Sequence, residues 1–159
     1  MINSRINKPL MFGAIFSAFA ALAHVGCIVF GGDWYRFFGA GEEMALMAEA
    51  GDAYPTIVTS VIVLILSIWS LYGLSGAGII AKLPLIRVAL VIISSIYILR
   101  GVSFVFLMPM LPENSLVFWL VSSTICLSIG MLYSIGTYQS WSKLMPNQCL
   151  RSQLSRDEQ

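Results

Sequence analysis

Residues 55–77 read PTIVTSVIVLILSIWSLYGLSGA and contain no Asp, Glu, Lys or Arg. At 1.5 Å per residue a helix of this length is about 35 Å long, which is enough to cross a hydrocarbon layer about 30 Å thick. Three further stretches are similarly apolar, and we predict additional spans at 9–30, 84–108 and 115–138. Backbone groups in lipid must bond within their own segment, which favours helices over strands. The sequence therefore predicts an all-α, polytopic membrane four-helix bundle.

The composition fits a chain that lies in lipid. The sequence is 58% hydrophobic and 11% charged, whereas soluble domains carry about 25% charged residues. The formal net charge is +1, so we expect no broad basic surface that would attract nucleic acid. The lipid bilayer is therefore the expected partner, and a nucleic-acid partner is not expected.

The lysines and arginines predict the orientation of the spans. Those expected on one side are Arg5, Lys8, Lys82, Arg87, Lys143, Arg151 and Arg156. The links on the other side are mainly acidic, with Arg36 as their cation. Because positively charged loops are retained in the cytoplasm, we predict a multi-pass protein of the cell inner (plasma) membrane with both termini cytoplasmic. Residues 1–145 would form the membrane domain, and 146–159 a short, disordered cytoplasmic tail.

The start of the chain allows a second interpretation. The first span follows a charged segment and contains Ala18-Phe19-Ala20, which matches the pattern of a signal-peptide cleavage site. Its apolar run continues to Phe30 and is long enough to span, so we favour an uncleaved helix. In size and span count alone, the plan is similar to small four-helix bacterial inner-membrane proteins such as the DoxX-like group. That resemblance implies an architecture and no activity.

The longest predicted link, residues 31–52, lies outside the membrane between the first two spans. It contains four aromatic side chains between residues 34 and 38, which is typical of an aromatic belt at a membrane interface. Residues 42–50 then favour a short interfacial helix. Its first turn is acidic, which complements the helix dipole, and a glycine follows its end.

Polar residues inside the predicted spans are the candidates for a functional site. Arg100 is expected about 12 Å inside the outer end of the third span. His24 lies on a stripe of small residues and is expected to face another helix at a similar depth. A hydrogen bond from His24 to a serine or a backbone carbonyl competes with a proton-transfer or ligand-binding role. The candidate intramembrane site consists of His24, Arg100, Glu42, Glu43, Tyr97, Ser122 and Ser123.

Arg100 itself is open to two interpretations. An arginine at this depth is costly unless it snorkels to the headgroups or pairs inside the protein. If the 31–52 link folds down as a lid, we expect Arg100 to pair with Glu42 or Glu43, because a charge in low dielectric seeks its opposite. Arg36 would then remain a surface charge.

The sequence lacks the motifs that would define an enzymatic activity. It contains no P-loop, GxGxxG, HExxH, EF-hand or GxSxG pattern. One histidine and three widely separated cysteines do not form a metal or redox motif. We therefore predict no metal and no cofactor, and we favour a non-enzymatic protein.

Three functional hypotheses remain open. The favoured one is a non-enzymatic accessory or small-ligand/lipid-binding bundle. Its expected partner is another membrane protein, a second copy of the chain or a small amphipathic ligand. The second hypothesis is a membrane enzyme or proton-coupled transporter that uses the outer-half polar site. The third is a purely structural bundle in which Arg100 faces the headgroups.

Overall fold

The computed structural model of the protein describes residues 6–108, 114–142 and 144. The regular structure of these residues is helical and includes no strand, so the all-α prediction is confirmed. The helices are α1 Lys8–Phe30, α2 Gly32–Phe37, α3 Glu42–Glu49, α4 Ala53–Ala77, α5 Ile86–Val102, α6 Phe104–Leu107 and α7 Leu116–Ser140. The tail predicted at 146–159 lies outside the described residues.

Within the described residues, α1, α4 and α7 are long and apolar enough to cross a membrane. They contain 23, 25 and 25 residues and begin and end within two residues of the predicted limits. Side-chain caps fix their starts: Asn7 Oδ1 accepts from Leu10 N, Asp52 Oδ1 from Tyr54 N, and Ser115 Oγ from Phe118 N. These three spans are therefore predictable from apolar length and capping residues.

The third predicted span is shorter than expected. Instead of one helix over 84–108, α5 contains 17 residues and ends at Val102, which makes it about 26 Å long. The hydroxyl and the backbone N–H of Ser103 both donate to the carbonyl of Leu99. The chain then resumes as α6, which has four residues.

Asn7 defines how three of the long helices are arranged. Its backbone N–H donates to Ala77 O at the end of α4. Its side-chain Nδ2 donates to Gly136 O and Ser140 Oγ in the last turns of α7, at 2.9 and 2.7 Å. The start of α1 therefore lies beside the ends of α4 and α7. We call this the terminal end of the molecule, and the opposite end, which carries α2 and α3, the link end.

The helices approach each other closely where small residues face a neighbour. α1 packs along α4 and α7, whereas α5 packs along α7 and α4. A Cβ added to Gly73 would lie 2.8 Å from the Cβ of Ala14, and one added to Gly101 would lie 2.5 Å from Leu127 Cγ. Glycine is therefore required at both contacts, as in other helix pairs that pack within membranes.

The outward surface of the long helices is apolar. Phe19, Leu22, Leu64, Leu99 and Val117 each expose 60% or more of their area. A soluble monomer rarely exposes so large a continuous apolar surface. The fold therefore agrees with a protein surrounded by lipid.

Candidate functional site

A buried hydroxyl network lies between the long helices. The Tyr133 hydroxyl donates to Trp69 O at 2.9 Å. The oxygens of Ser17 and Tyr133 are 3.2 Å apart, and those of Ser17 and Tyr97 are 2.9 Å apart. Because Tyr133 uses its proton on Trp69, Ser17 donates to Tyr133 and accepts from Tyr97. The network joins α1, α4, α5 and α7 through polar groups that satisfy one another.

Aromatic rings surround this network. The rings of Tyr97 and Tyr133 stack with centroids 6.0 Å apart, and Trp69 meets Tyr97 edge-on at 5.0 Å. Gly13 makes room for the Tyr133 ring, because a Cβ at this position would lie 3.1 Å from it. The predicted site residue Tyr97 thus belongs to a packed, hydrogen-bonded core.

His24 is half-buried and bonds to its own helix. Its Nδ1 lies 2.7 Å from Ala20 O, so this nitrogen carries the proton and donates. The ring lies 6.4 Å from the ring of Phe38. Of the two roles considered for His24, the geometry agrees with the hydrogen bond to a backbone carbonyl.

Arg100 lies in the last turn of α5. It is about 3 Å from the end of this helix, measured along the axis, and α6 continues the chain for four residues beyond Ser103. A cation in a last helical turn is favoured by the helix dipole. The Nη2 group donates to Ser122 Oγ at 3.4 Å, and Cζ lies 5.6 Å from the centroid of the Trp119 ring.

Among the described residues, three buried polar atoms in this region have no hydrogen-bond partner. They are Arg100 Nη1, Trp119 Nε1 and Ser123 Oγ. Trp119 and Ser123 are 1% and 4% exposed. Buried polar groups are normally paired, and leaving one unpaired is costly. We call Arg100, Trp119, Ser122 and Ser123 the Arg100 cluster; it contains three of the predicted site residues, together with a tryptophan that the sequence did not single out.

The prediction that Arg100 pairs with Glu42 is wrong, because Arg36 binds this carboxylate. Arg36 donates to Glu42 through Nε at 2.8 Å and Nη2 at 2.7 Å, and to Glu49 through Nη1 at 2.5 Å. A third carboxylate, that of Asp33, lies 3.3 Å from Nη1. The turn between α2 and α3 brings these charges together. Arg36 is therefore the cation that connects the two helices of the link.

The charge pairing changes the acidity of these groups. The hydrogen bonds from Arg36 hold the pKa values of Glu42 and Glu49 below their usual range, and the same bonds raise the pKa of Arg36. Glu43 points outward and is exposed. The second carboxylate considered for a pair with Arg100 is thus on the outside of α3.

The link also packs onto the long helices. The Tyr35 hydroxyl lies 3.1 Å from Thr59 Oγ1 on α4. Asn114 Nδ2 donates to Gly39 O at 3.1 Å. A Cβ on Gly39, which has a φ of +70°, would lie 2.1 Å from the Phe118 ring. These contacts place α2 and α3 over the link end of α4 and α7.

Aromatic side chains form a ladder along one edge of this link. Phe30 stacks on Trp34 with ring centroids 4.6 Å apart, and Trp34 is followed by Phe38 at 5.8 Å. Phe30 and Phe37 are largely exposed. The predicted helix over 42–50 is present as α3, which ends at Glu49 and is followed by Gly51 with a φ of +78°.

The structure divides the predicted site residues among separate groups. Arg100, Ser122 and Ser123 share one cluster, Tyr97 belongs to the hydroxyl network, His24 bonds to α1, and Glu42 bonds to Arg36. Ser17, Tyr133, Trp119 and Arg36 were not assigned a site role from sequence. Tyr97 was suggested as a helical neighbour of Arg100. Ser17 and Tyr133 lie on the small-residue stripes of their own helices, which is the sequence signal that could have pointed to them.

Comparison with known proteins provides no family assignment: no family model, curated protein or solved structure matches the chain.

Proposed function

We propose that the protein is a four-span bundle of the cell inner membrane with both termini in the cytoplasm, in which α5 and α6 together form the third span. Support comes from the outer face of α5, where Val91, Ile92 and Leu99 are exposed as on the three longer helices. The contacts of Asn7 with the ends of α4 and α7 support an even number of crossings. The acidic link with α2 and α3 would then face outward and lie at the interface.

Cysteine labelling tests this topology. In a background lacking Cys27, Cys126 and Cys149, single cysteines are placed at Glu49, Lys82 and Ser152 and exposed to a membrane-impermeant reagent. Four spans predict labelling of Glu49→Cys from outside and protection of the other two. If α5 did not cross, Lys82 would still be protected but Ser152→Cys would be labelled, so the third probe separates four spans from three.

We further propose that the bundle is a non-enzymatic accessory protein that holds a lipid or another small amphipathic molecule. The single observation that carries this proposal is the Arg100 cluster, whose unpartnered donors lie at the link end. The residues that a transporter or an enzyme would use also support a non-enzymatic role. Tyr97 uses its hydroxyl and His24 uses its Nδ1 in hydrogen bonds within the protein.

Native mass spectrometry of the full chain in a mild detergent tests the proposed role. We expect a population that retains lipid or a partner chain after detergent removal in the gas phase. A bare monomer under conditions that preserve lipid on a control membrane protein would contradict the proposal. If His24→Ala retains lipid or a partner chain as the wild type does, the binding role does not depend on the residue considered for proton transfer.

A further inference from the structure

The Arg100 cluster has the chemistry of an oxyanion site. A guanidinium presents five N–H donors in a planar fork that matches phosphate oxygens. Ser122 takes one of these donors at 3.4 Å, which is a long hydrogen bond, and Nη1 is buried without a partner. The Trp119 ring supports the guanidinium at 5.6 Å from its centroid.

A second donor points to the same kind of ligand. Trp119 is 1% exposed, yet its Nε1–H has no partner, and an indole N–H can only donate. Two unpartnered donors on side chains in contact, one of them cationic, call for an anionic acceptor. Ser123 Oγ, one turn further along α7 from Trp119, is also unpartnered and can donate or accept.

The surroundings of the cluster indicate how such an anion would arrive. Leu99 and Val102, which flank Arg100 in the sequence of α5, expose about half or more of their areas. Such a surface matches an acyl chain, whereas a soluble anion would gain nothing from it.

We propose that the Arg100 cluster binds the phosphate group of a phospholipid in the leaflet at the link end, with its acyl chains against the exposed apolar side chains of α5. This inference rests on the proposed lipid-binding role and assigns its ligand class and its residues. Arg100 and Trp119 donate to the phosphate oxygens, and Ser122 positions the guanidinium.

The test uses the indole N–H signals of the full-length, ¹⁵N-labelled protein in a phosphate-free maltoside detergent. The Trp119 signal is identified by its loss in W119F. Short-chain phosphatidylglycerol, short-chain phosphatidylcholine, diacylglycerol and inorganic phosphate are titrated separately. We expect both phospholipids to shift the Trp119 signal, diacylglycerol to leave it unchanged, and inorganic phosphate to require at least about tenfold higher concentrations, since it lacks the acyl contacts.

Variants assign the response to Arg100. R100Q should weaken phospholipid binding about tenfold or more, and R100K, which keeps the charge but loses the fork, by a smaller factor. The matched control is R87Q, because Arg87 also lies over a tryptophan, Trp141, at 4.5 Å but at the terminal end. The other indole signals report whether each variant is folded. If R100Q does not fold, R100K alone tests the role of Arg100.

The outcomes separate the inference from the role on which it rests. An unresponsive Trp119 signal, or wild-type affinity in R100K and R100Q, would overturn the inference. If native mass spectrometry still showed retained lipid in that case, the lipid-binding role would stand with another site. Equal affinity for inorganic phosphate would show that the cluster takes a soluble oxyanion, and the lipid assignment would be wrong.

Discussion

Ser17 is the residue on which the buried hydroxyl network depends. It is fully buried and shares hydrogen bonds with the hydroxyls of Tyr97 and Tyr133. Ser17→Ala would leave the Tyr97 hydroxyl without its acceptor, whereas Tyr133 would keep Trp69 O. We expect a loss of about 1–2 kcal/mol in the free energy of unfolding, since single buried hydrogen bonds in membrane proteins are of this size or smaller.

Denaturation of the purified protein in detergent, followed by circular dichroism, measures this loss. The matched control is Ser134→Ala, because Ser134 donates only to Gly130 O of its own helix among the contacts described, and such a serine is easily replaced. Equal stability of the two variants would contradict a structural role for the network.

Arg36 and the carboxylates around it make the link sensitive to low pH. The pKa values of Glu42 and Glu49 are lowered in the folded link. Their stabilising effect is therefore complete above the ordinary carboxylate pKa and is lost as the pH falls through the lowered values. A nitroxide on the exposed face of α3, at Leu46→Cys in a cysteine-free background, should stay immobile at neutral pH and become mobile toward about pH 3.

Two further variants identify the cation responsible. Arg36→Leu should make the nitroxide mobile already at neutral pH, whereas Arg100→Leu should not, because Arg36 is the residue bonded to Glu42 and Glu49. Glu43→Gln is the control for a change of charge on α3, since Glu43 lies on the exposed side. If Arg100→Leu made the nitroxide mobile and Arg36→Leu did not, the pairing of Arg100 with Glu42 or Glu43 that was first expected from sequence would be supported instead.

The sequence was least informative about which charged residues pair. Both Arg36 and Arg100 could be named as cations near the link, and both Glu42 and Glu43 as partners. The choice depends on the turn between α2 and α3, where Gly39 and Gly41 have φ values of +70° and +95°. Glycine allows many turn geometries, so the direction of the chain after α2 does not follow from residue types alone.

At the level of elements, helix existence was more predictable than helix length. Apolar length located α1, α4 and α7, because it is a local property of the sequence. The end of α5 at Val102 interrupts an otherwise continuous apolar run. The position of Arg100 near a helix end follows from this local event and could not be read from hydropathy.

The contact between α5 and α7 depends on Gly130. A Cβ there would lie 2.8 Å from Ile98 Cγ1 and 3.0 Å from the backbone N of Ile98. The backbone cannot yield as a side-chain end does, so Gly130→Ala should push the helices apart and cost about 1–3 kcal/mol. Ile125→Ala, on the exposed face of α7, is the control and should unfold at nearly the wild-type denaturant concentration.

At the scale of the whole molecule, small residues mark where α1 and α7 meet. Gly13 on α1 faces Tyr133 on α7, and Gly136 on α7 faces Leu10 on α1. The stripes indicated helix contact but not the partner, because every long helix carries small residues. Choosing among the pairings requires the three-dimensional arrangement, which Asn7 fixes at the terminal end.

Asn7 combines two functions that substitutions can separate. Its Oδ1 caps α1, and its Nδ2 joins α1 to Gly136 and Ser140 of α7. Asn7→Ser keeps a capping oxygen and removes the two interhelical donors, whereas Asn7→Ala removes both functions. We expect Asn7→Ser to lower the free energy of unfolding by about 1–2 kcal/mol, and Asn7→Ala by about 1 kcal/mol more, the usual contribution of an N-cap. If Asn7→Ser unfolded like the wild type in the same denaturation assay, the contact between α1 and α7 would not contribute to the stability of the terminal end.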